Sequence, residues 1–150
     1  MRDDPATRAS RFASHARSMA RKLAMQAIYR VQLNDAPWQD LVTEFSGEEG
    51  MDKADGAYFR ELVSGVCGAR PDLDTELAAW MDRSPAMLDP IEHAVLLIGA
   101  YELKSRPEVP YRVVINEGVS LAKRFGATDG YKFVNAVLDR AARTLRPNEH

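Results

Sequence analysis

Four stretches of this chain carry residue types that could do chemistry. "GATDGYK" (126–132) offers glycines and a lysine for cradling phosphate. Its spacing is G-x-x-x-G-x-K rather than G-x-x-x-x-G-K-[ST], and a helical pattern precedes it instead of a strand. "GVSLA" (118–122) imitates part of a serine-nucleophile elbow, yet it falls within a helical stripe where no strained turn exposes the hydroxyl. Glu92 and His93 could serve as acid and base. Adjacent helical positions point about 100° apart, so they do not form a hydrogen-bonded dyad. Cys67, His15, His93 and His150 share no ligand spacing. No metal, no cofactor and no enzymatic activity are expected.

Binding chemistry is better supplied. Ser18, Lys22, Gln26 and Tyr29 recur at helical spacing, with Arg11, Arg17 and Arg21 leading into them. A cation, an amide and an aromatic ring on one face provide phosphate pairing, base-edge hydrogen bonding and stacking, the means by which single-stranded RNA is gripped. The plainer alternative is an exposed helix face whose tyrosine ring lies partly over the core. Near the other end, "KRFGATDGYKFVNAVL" (123–138) gathers Lys123, Arg124, Asp129, Lys132 and Phe133 around a helix junction. If the two ends meet in space, the patch is composite.

The elements that must position these residues are helices; strand signals are nearly absent. Seven helical patterns are predicted, making the fold all-α. The first spans about Ser18 to Leu33, and a short second follows Pro37 with Trp38, Leu41, Val42 and Phe45 inward. A third starts near Asp52 or Asp55, uses Tyr58 to Val66, and is expected to break at Pro71. A fourth carries Leu73, Leu77, Trp80 and Met81. The fifth opens with Asp89 as cap, Pro90 in the first helical position and Glu92 in the third position of a capping box. Its "AVLLIGAYEL" is apolar on more than one face, which places it centrally. The sixth carries Val114 to Phe125 and stops at Gly126. Thr128 is expected to cap the seventh.

Apolar residues make up 45% of the 150 and charged residues 28%, values suited to one domain with a core that needs no disulfide. The run "AVLLIGAY" (94–101) is far short of a membrane span, and the N-terminus has no apolar signal region. A cytoplasmic protein is expected, with a mobile basic arm over 1–15 and a single domain over 16–147. The net charge of −2 conceals a polarity. Residues 1–30 hold seven Lys/Arg against two acids, 31–109 hold six against sixteen, and 110–148 hold seven against three. Basic ends around an acidic middle suit one polyanion-binding face and one face for a basic partner.

"RKLAMQAIYRVQL" (21–33), "YFRELVSGV" (58–66), "DPIEHAVLLIGAYEL" (89–103), "VPYRVVINEGVSLAKRFGATDGYKFVNAVLD" (109–139) and the closing "RP" resemble the transcription antitermination factor NusB family. The resemblance covers nearly everything from Met19 to Pro147. It implies two small helical subdomains packed together, and a factor that binds the boxA element of nascent RNA. The implied partner is a NusE-like small-subunit ribosomal protein within a transcription elongation complex. Carried over by position, the RNA contacts are the basic run, here Arg17, Arg21 and Lys22, then Gln26, Tyr29, Asp129 and Phe133, flanked by Lys123 and Lys132. Glu92, with His93 beside it, corresponds to the family's partner-facing carboxylate. One departure is that the basic residues before the first helix are dispersed through "SRFASHARSMARK" rather than contiguous.

Two other classes remain open. A related helical domain precedes the catalytic part of certain ribosomal-RNA cytosine methyltransferases, although 150 residues leave no room for that part. The second is a homodimeric protein-interaction module with little RNA binding of its own.

Overall fold

A computed structural model describes residues 4–149; His150 and the first three residues of the expected basic arm lie outside that range. Six α-helices are present among the described residues: α1 (Pro5–Asn34), α2 (Trp38–Ser46), α3 (Gly56–Ala78), α4 (Pro90–Ser105), α5 (Tyr111–Phe125) and α6 (Gly130–Leu145). Short 3-10 turns at Met51–Lys53, Pro85–Met87 and Pro147–Glu149 complete the order. The helices form two sets of three, α1–α3 and α4–α6, and α4 packs against α1, α3, α5 and α6. That central place follows from its composition: Ala94 to Ala100 is an unbroken run of buried residues.

α1 begins at Pro5, well before Ser18. The Asp4 side chain accepts the Thr7 N–H at 2.7 Å and proline occupies the first turn, a strong start signal. Every side chain from Asp4 to His15 is exposed. Alanine and arginine sustain the helix there by propensity, and with no core beneath them they leave no apolar stripe to read.

Pro71 does not break α3. The expected third and fourth helices are one, because Leu73 and Leu77 continue the buried stripe of Phe59, Leu62, Val63 and Val66 through the proline. Burying two leucines contributes about 1.5–3 kcal/mol each, which offsets the roughly 3 kcal/mol cost of an interior proline. The helix ends at Ala78, so Trp80 and Met81 lie half-buried in the turn beyond it.

Close packing within the second set needs Gly118, where a Cβ would lie 2.8 Å from Leu138 Cδ1. Gly126 ends α5 as expected, donating its N–H to the Ala122 carbonyl at 2.9 Å. α6 differs from expectation. Its N-cap position is Asp129 rather than Thr128, in the left-handed region at φ 64°, and its side chain makes no capping bond. At the far end buried Arg146 staples α6 to the end of α4, donating to the carbonyls of Leu103 at 2.8 Å and Arg106 at 2.9 Å.

Since Pro71 is itself exposed, Pro71→Ala should raise unfolding stability by about 1–3 kcal/mol through a restored backbone hydrogen bond. Denaturant titration reads this directly, and an unchanged or lowered midpoint would mean that the proline is not a local cost.

Candidate nucleic-acid interface

α1 sorts its cations by helical angle. Arg21, expected on the RNA face, lies instead on the side of buried Met25 and Ile28, four and seven residues on, and is 3% exposed. Its Nε is 2.9 Å from Glu102 Oε1 and its Nη2 2.9 Å from Oε2, a two-point ion pair with a carboxylate 1% exposed. The Tyr58 hydroxyl donates to the same Oε2. Glu117 stands 3.5 Å from Arg21 Nη1 and accepts the Ser18 hydroxyl at 2.5 Å. Burial pulls the Arg21 pKa down, but the Glu102 hydrogen bonds and charge outweigh it and hold the group above its ordinary value. Arg21 is therefore not free to meet a phosphate.

Arg17 is half-engaged: its guanidinium lies 4.2 Å from the Tyr58 ring centroid and 3.7 Å from Asp55. Arg30 pairs with Glu44. Much of the charge polarity along the chain is thus satisfied within the molecule, since α1 arginines meet Asp55, Glu44 and Glu102 of the acidic middle.

Lys22, one position on from Arg21, faces the other way. It lines a groove of about 460 Å³ between α1 and α5, together with His15, Ser18, Asn116, Ser120 and Arg124. Gln26 and Tyr29 follow on α1, both half-buried. Beyond Arg124 comes the α5–α6 junction. Lys123 is exposed with its ammonium 4.7 Å from the Tyr131 ring, and Asp129 is 67% exposed with Lys132 at 3.6 Å. Phe133 is half-buried beneath the Arg83 guanidinium, 4.6 Å from its ring centroid.

Two connections bind α1 to this junction. At one end Lys22 and Arg124 share the groove. At the other, Gln32 of α1 lies 2.9 Å from His93 Nδ1, and neighbouring Glu92 holds Ala127 of the junction through its N–H at 3.0 Å. Gln26 and Tyr29 lie on α1 between those ties, so the two sequence-distant clusters belong to one region.

Glu92 and His93 are less open than a partner-facing pair would be. Asp89 caps α4 by accepting the Ile91 and Glu92 N–H groups, but the Glu92 carboxylate does not return to complete a capping box. It crosses to the junction and is 7% exposed. His93 is clamped between Gln32 and Asp74, whose Oδ1 is 2.6 Å from Nε2.

Sequence reasoning missed Asn116 and Ser120, which read as ordinary helix surface, and Arg83, whose turn carries no motif. Tyr131 could have been found as the aromatic residue between the two lysines it meets. Among the described residues no group of three or more His, Cys, Asp or Glu could hold a metal ion.

The fold and this face together define a class: a two-part helical domain presenting cations, amides and aromatic rings along one groove and helix junction. The chain belongs to the NusB family, whose model matches residues 18–143. It is similar to a transcription antitermination protein NusB from Idiomarina loihiensis, 51% identical over 132 residues that span 88% of this chain and 95% of that protein. A relative of the same name from Marinobacter nauticus is 48% identical over 130 residues, 87% and 82% of the two chains. Among solved structures, T. maritima NusB superposes with a TM-score of 0.77 at 26% identity, covering 84% of this chain and 89% of that one. A structure of antitermination factors NusB and NusE in complex with dsRNA gives a TM-score of 0.72 at 26% identity, covering 85% and 96%.

Burial, then the charge and hydrogen bond of Glu102, push the Tyr58 phenol above its ordinary 10.0, and burial with Glu61 pushes Tyr101 up to about 12. Both phenols keep in the fold a proton that the unfolded chain loses above pH 10.0. Their contribution to stability is complete below that pH and is lost as pH rises through the raised values. Melting temperature should accordingly decline from about pH 10 upward, less steeply in Tyr58→Phe; parallel declines would remove the phenol from the cause.

Proposed function

We propose that this chain is a cytoplasmic transcription antitermination factor that binds boxA-type nascent RNA together with a NusE-like small-subunit ribosomal protein, supporting processive transcription, notably of ribosomal RNA operons. One observation carries the RNA half: the Lys22–Arg124 groove runs into a junction bearing cations and half-buried rings. Single-stranded RNA is the form such a surface suits, because only unstacked bases can lie on Tyr29 or Phe133. Asp129 then accepts from base amino groups, since a carboxylate repels phosphate. Lys22, Lys123, Arg124 and Lys132 supply the phosphate contacts. A solved structure of NusB and NusE with dsRNA and the antitermination names of the relatives support an RNA-binding factor with a NusE-like partner, though not the single-stranded form, which rests on the rings alone.

The partner half rests on charge. Asp82 and Asp89 remain exposed at the start of α4 and in the segment before it, and suit a basic protein. Glu92 and His93 shape that rim from beneath.

Replacing Lys22, Lys123, Arg124 or Lys132 by Ala should lower the salt slope of RNA binding by up to ~0.7 for each phosphate left without its cation. Tyr29→Ala and Phe133→Ala should weaken binding by about 1–3 kcal/mol with the slope unchanged. Titrations of a boxA-type oligonucleotide at several salt concentrations measure both. Slopes that ignore all four cations would overturn this placement of the RNA, and a homodimer that binds no RNA would favour a protein-interaction module.

A further inference from the structure

The α5–α6 junction poses a physical problem. Residue 129 precedes α6 in the left-handed region, where a non-glycine side chain is disfavoured, and its carboxylate does no capping. The turn closes through backbone bonds, Gly130 N–H to the Ala127 carbonyl at 3.0 Å and Lys132 N–H to the Asp129 carbonyl at 3.1 Å, and the Ala127 N–H at its head is the group that looks beyond its own segment. Meanwhile a carboxylate from a different helix is buried against this spot.

Glu92 comes from the first turn of α4, where Asp89 already caps, so its carboxylate is not needed by its own helix. Its Oε2 accepts the Ala127 N–H at 3.0 Å. A Cβ built on Gly126 would lie 3.2 Å from the same oxygen, and one on Gly130 would overlap the carboxylate outright. The backbone on both sides of the junction is therefore laid against Glu92, and glycine stands at both places of closest approach. The anion also sits where the amino ends of α4 and α6 converge, and each helix dipole favours negative charge there.

We propose that Glu92 is a positioning residue for RNA recognition: it holds the turn ahead of α6 from within, through the Ala127 N–H. Asp129 is thereby left pointing into solvent at 67% exposure, and the start of α6 that carries Phe133 is held in register. This division of labour explains why a buried carboxylate and an exposed one stand so close in one site: the first shapes the loop, and the second, 3.6 Å from Lys132, faces solvent where a base can reach it. The inference rests on the RNA-binding reading above. It also makes the start of α4, on the acidic rim, mechanically continuous with the RNA face.

The experiment compares Glu92→Ala with Glu92→Gln, whose amide oxygen can still accept the Ala127 N–H. Hydrogen exchange of the Ala127 amide, read by NMR without RNA, should accelerate in Glu92→Ala and stay near wild type in Glu92→Gln. Titration with a boxA-type oligonucleotide should show Glu92→Ala weakened about tenfold, within the range for residues sharing one network, and Glu92→Gln within about twofold. The loss should be non-additive with Phe133→Ala and additive with Lys22→Ala, a pattern that general destabilisation does not produce. Unchanged exchange at Ala127, a loss in Glu92→Gln equal to that in Glu92→Ala, or additivity with both partners overturns the proposal. Failure of the wild type to bind RNA would sink the RNA reading instead, while exchange at Ala127 still decides whether Glu92 holds the junction.

Discussion

The two-point ion pair between Arg21 and Glu102 is the constraint on which the rest of the molecule depends. It joins α1 to α4 at the centre of the packing, and Tyr58 of α3 and Glu117 of α5 close around it. Removing one partner of such a buried pair typically costs about 3–5 kcal/mol, because the remaining charge has neither water nor counter-ion. Its geometric effect matters as much as its energy. A helix whose residue 21 is pinned inward has no rotational freedom left, so the step of about 100° per residue places Lys22 on the groove and carries Gln26 and Tyr29 along the same side. The core ion pair thereby orients the polar face.

A second carboxylate repeats this logic at the other cluster. Glu92 approaches the α5–α6 junction from α4, the helix that also supplies Glu102. One central helix consequently reaches both halves of the polar face, α1 through Glu102 and the junction through Glu92. α4 can do this because α1, α3, α5 and α6 all pack against it and its two glutamates find donors on its neighbours. The basic ends of the chain meet around an element from its acidic middle, which makes the charge polarity partly structural and partly an exposed surface for ligands.

Helix positions were legible wherever the local signal and the tertiary outcome agree. Asp89–Pro90 marks the start of α4 and Gly126 the end of α5, both through backbone chemistry that acts within a few residues. Pro71 misleads because its cost is local while the burial of Leu73 and Leu77 is not. The early start of α1 escapes for the opposite reason: exposed on all faces, residues 5–15 follow propensity without periodicity. Among site residues, Lys22 and the junction cations are placed as their spacing implies. Arg21 is not, since an arginine on an apolar stripe declares itself buried only once a carboxylate as far along the chain as Glu102 is known to meet it. The direction of the Glu92 side chain was likewise beyond reach, because a capping box and a long-range contact use the same residue at the same position.

The most direct test of this arrangement is an NMR titration with a boxA-type single-stranded oligonucleotide, following backbone amides together with the arginine Nε–H resonances. Gln26, Tyr29 and residues 127–133 should shift together and saturate at one stoichiometry, with the Arg21 Nε–H resonance unmoved. Separate saturation of the α1 and junction signals, or a shift of Arg21 Nε–H comparable to theirs, would contradict a single composite face oriented by a buried ion pair.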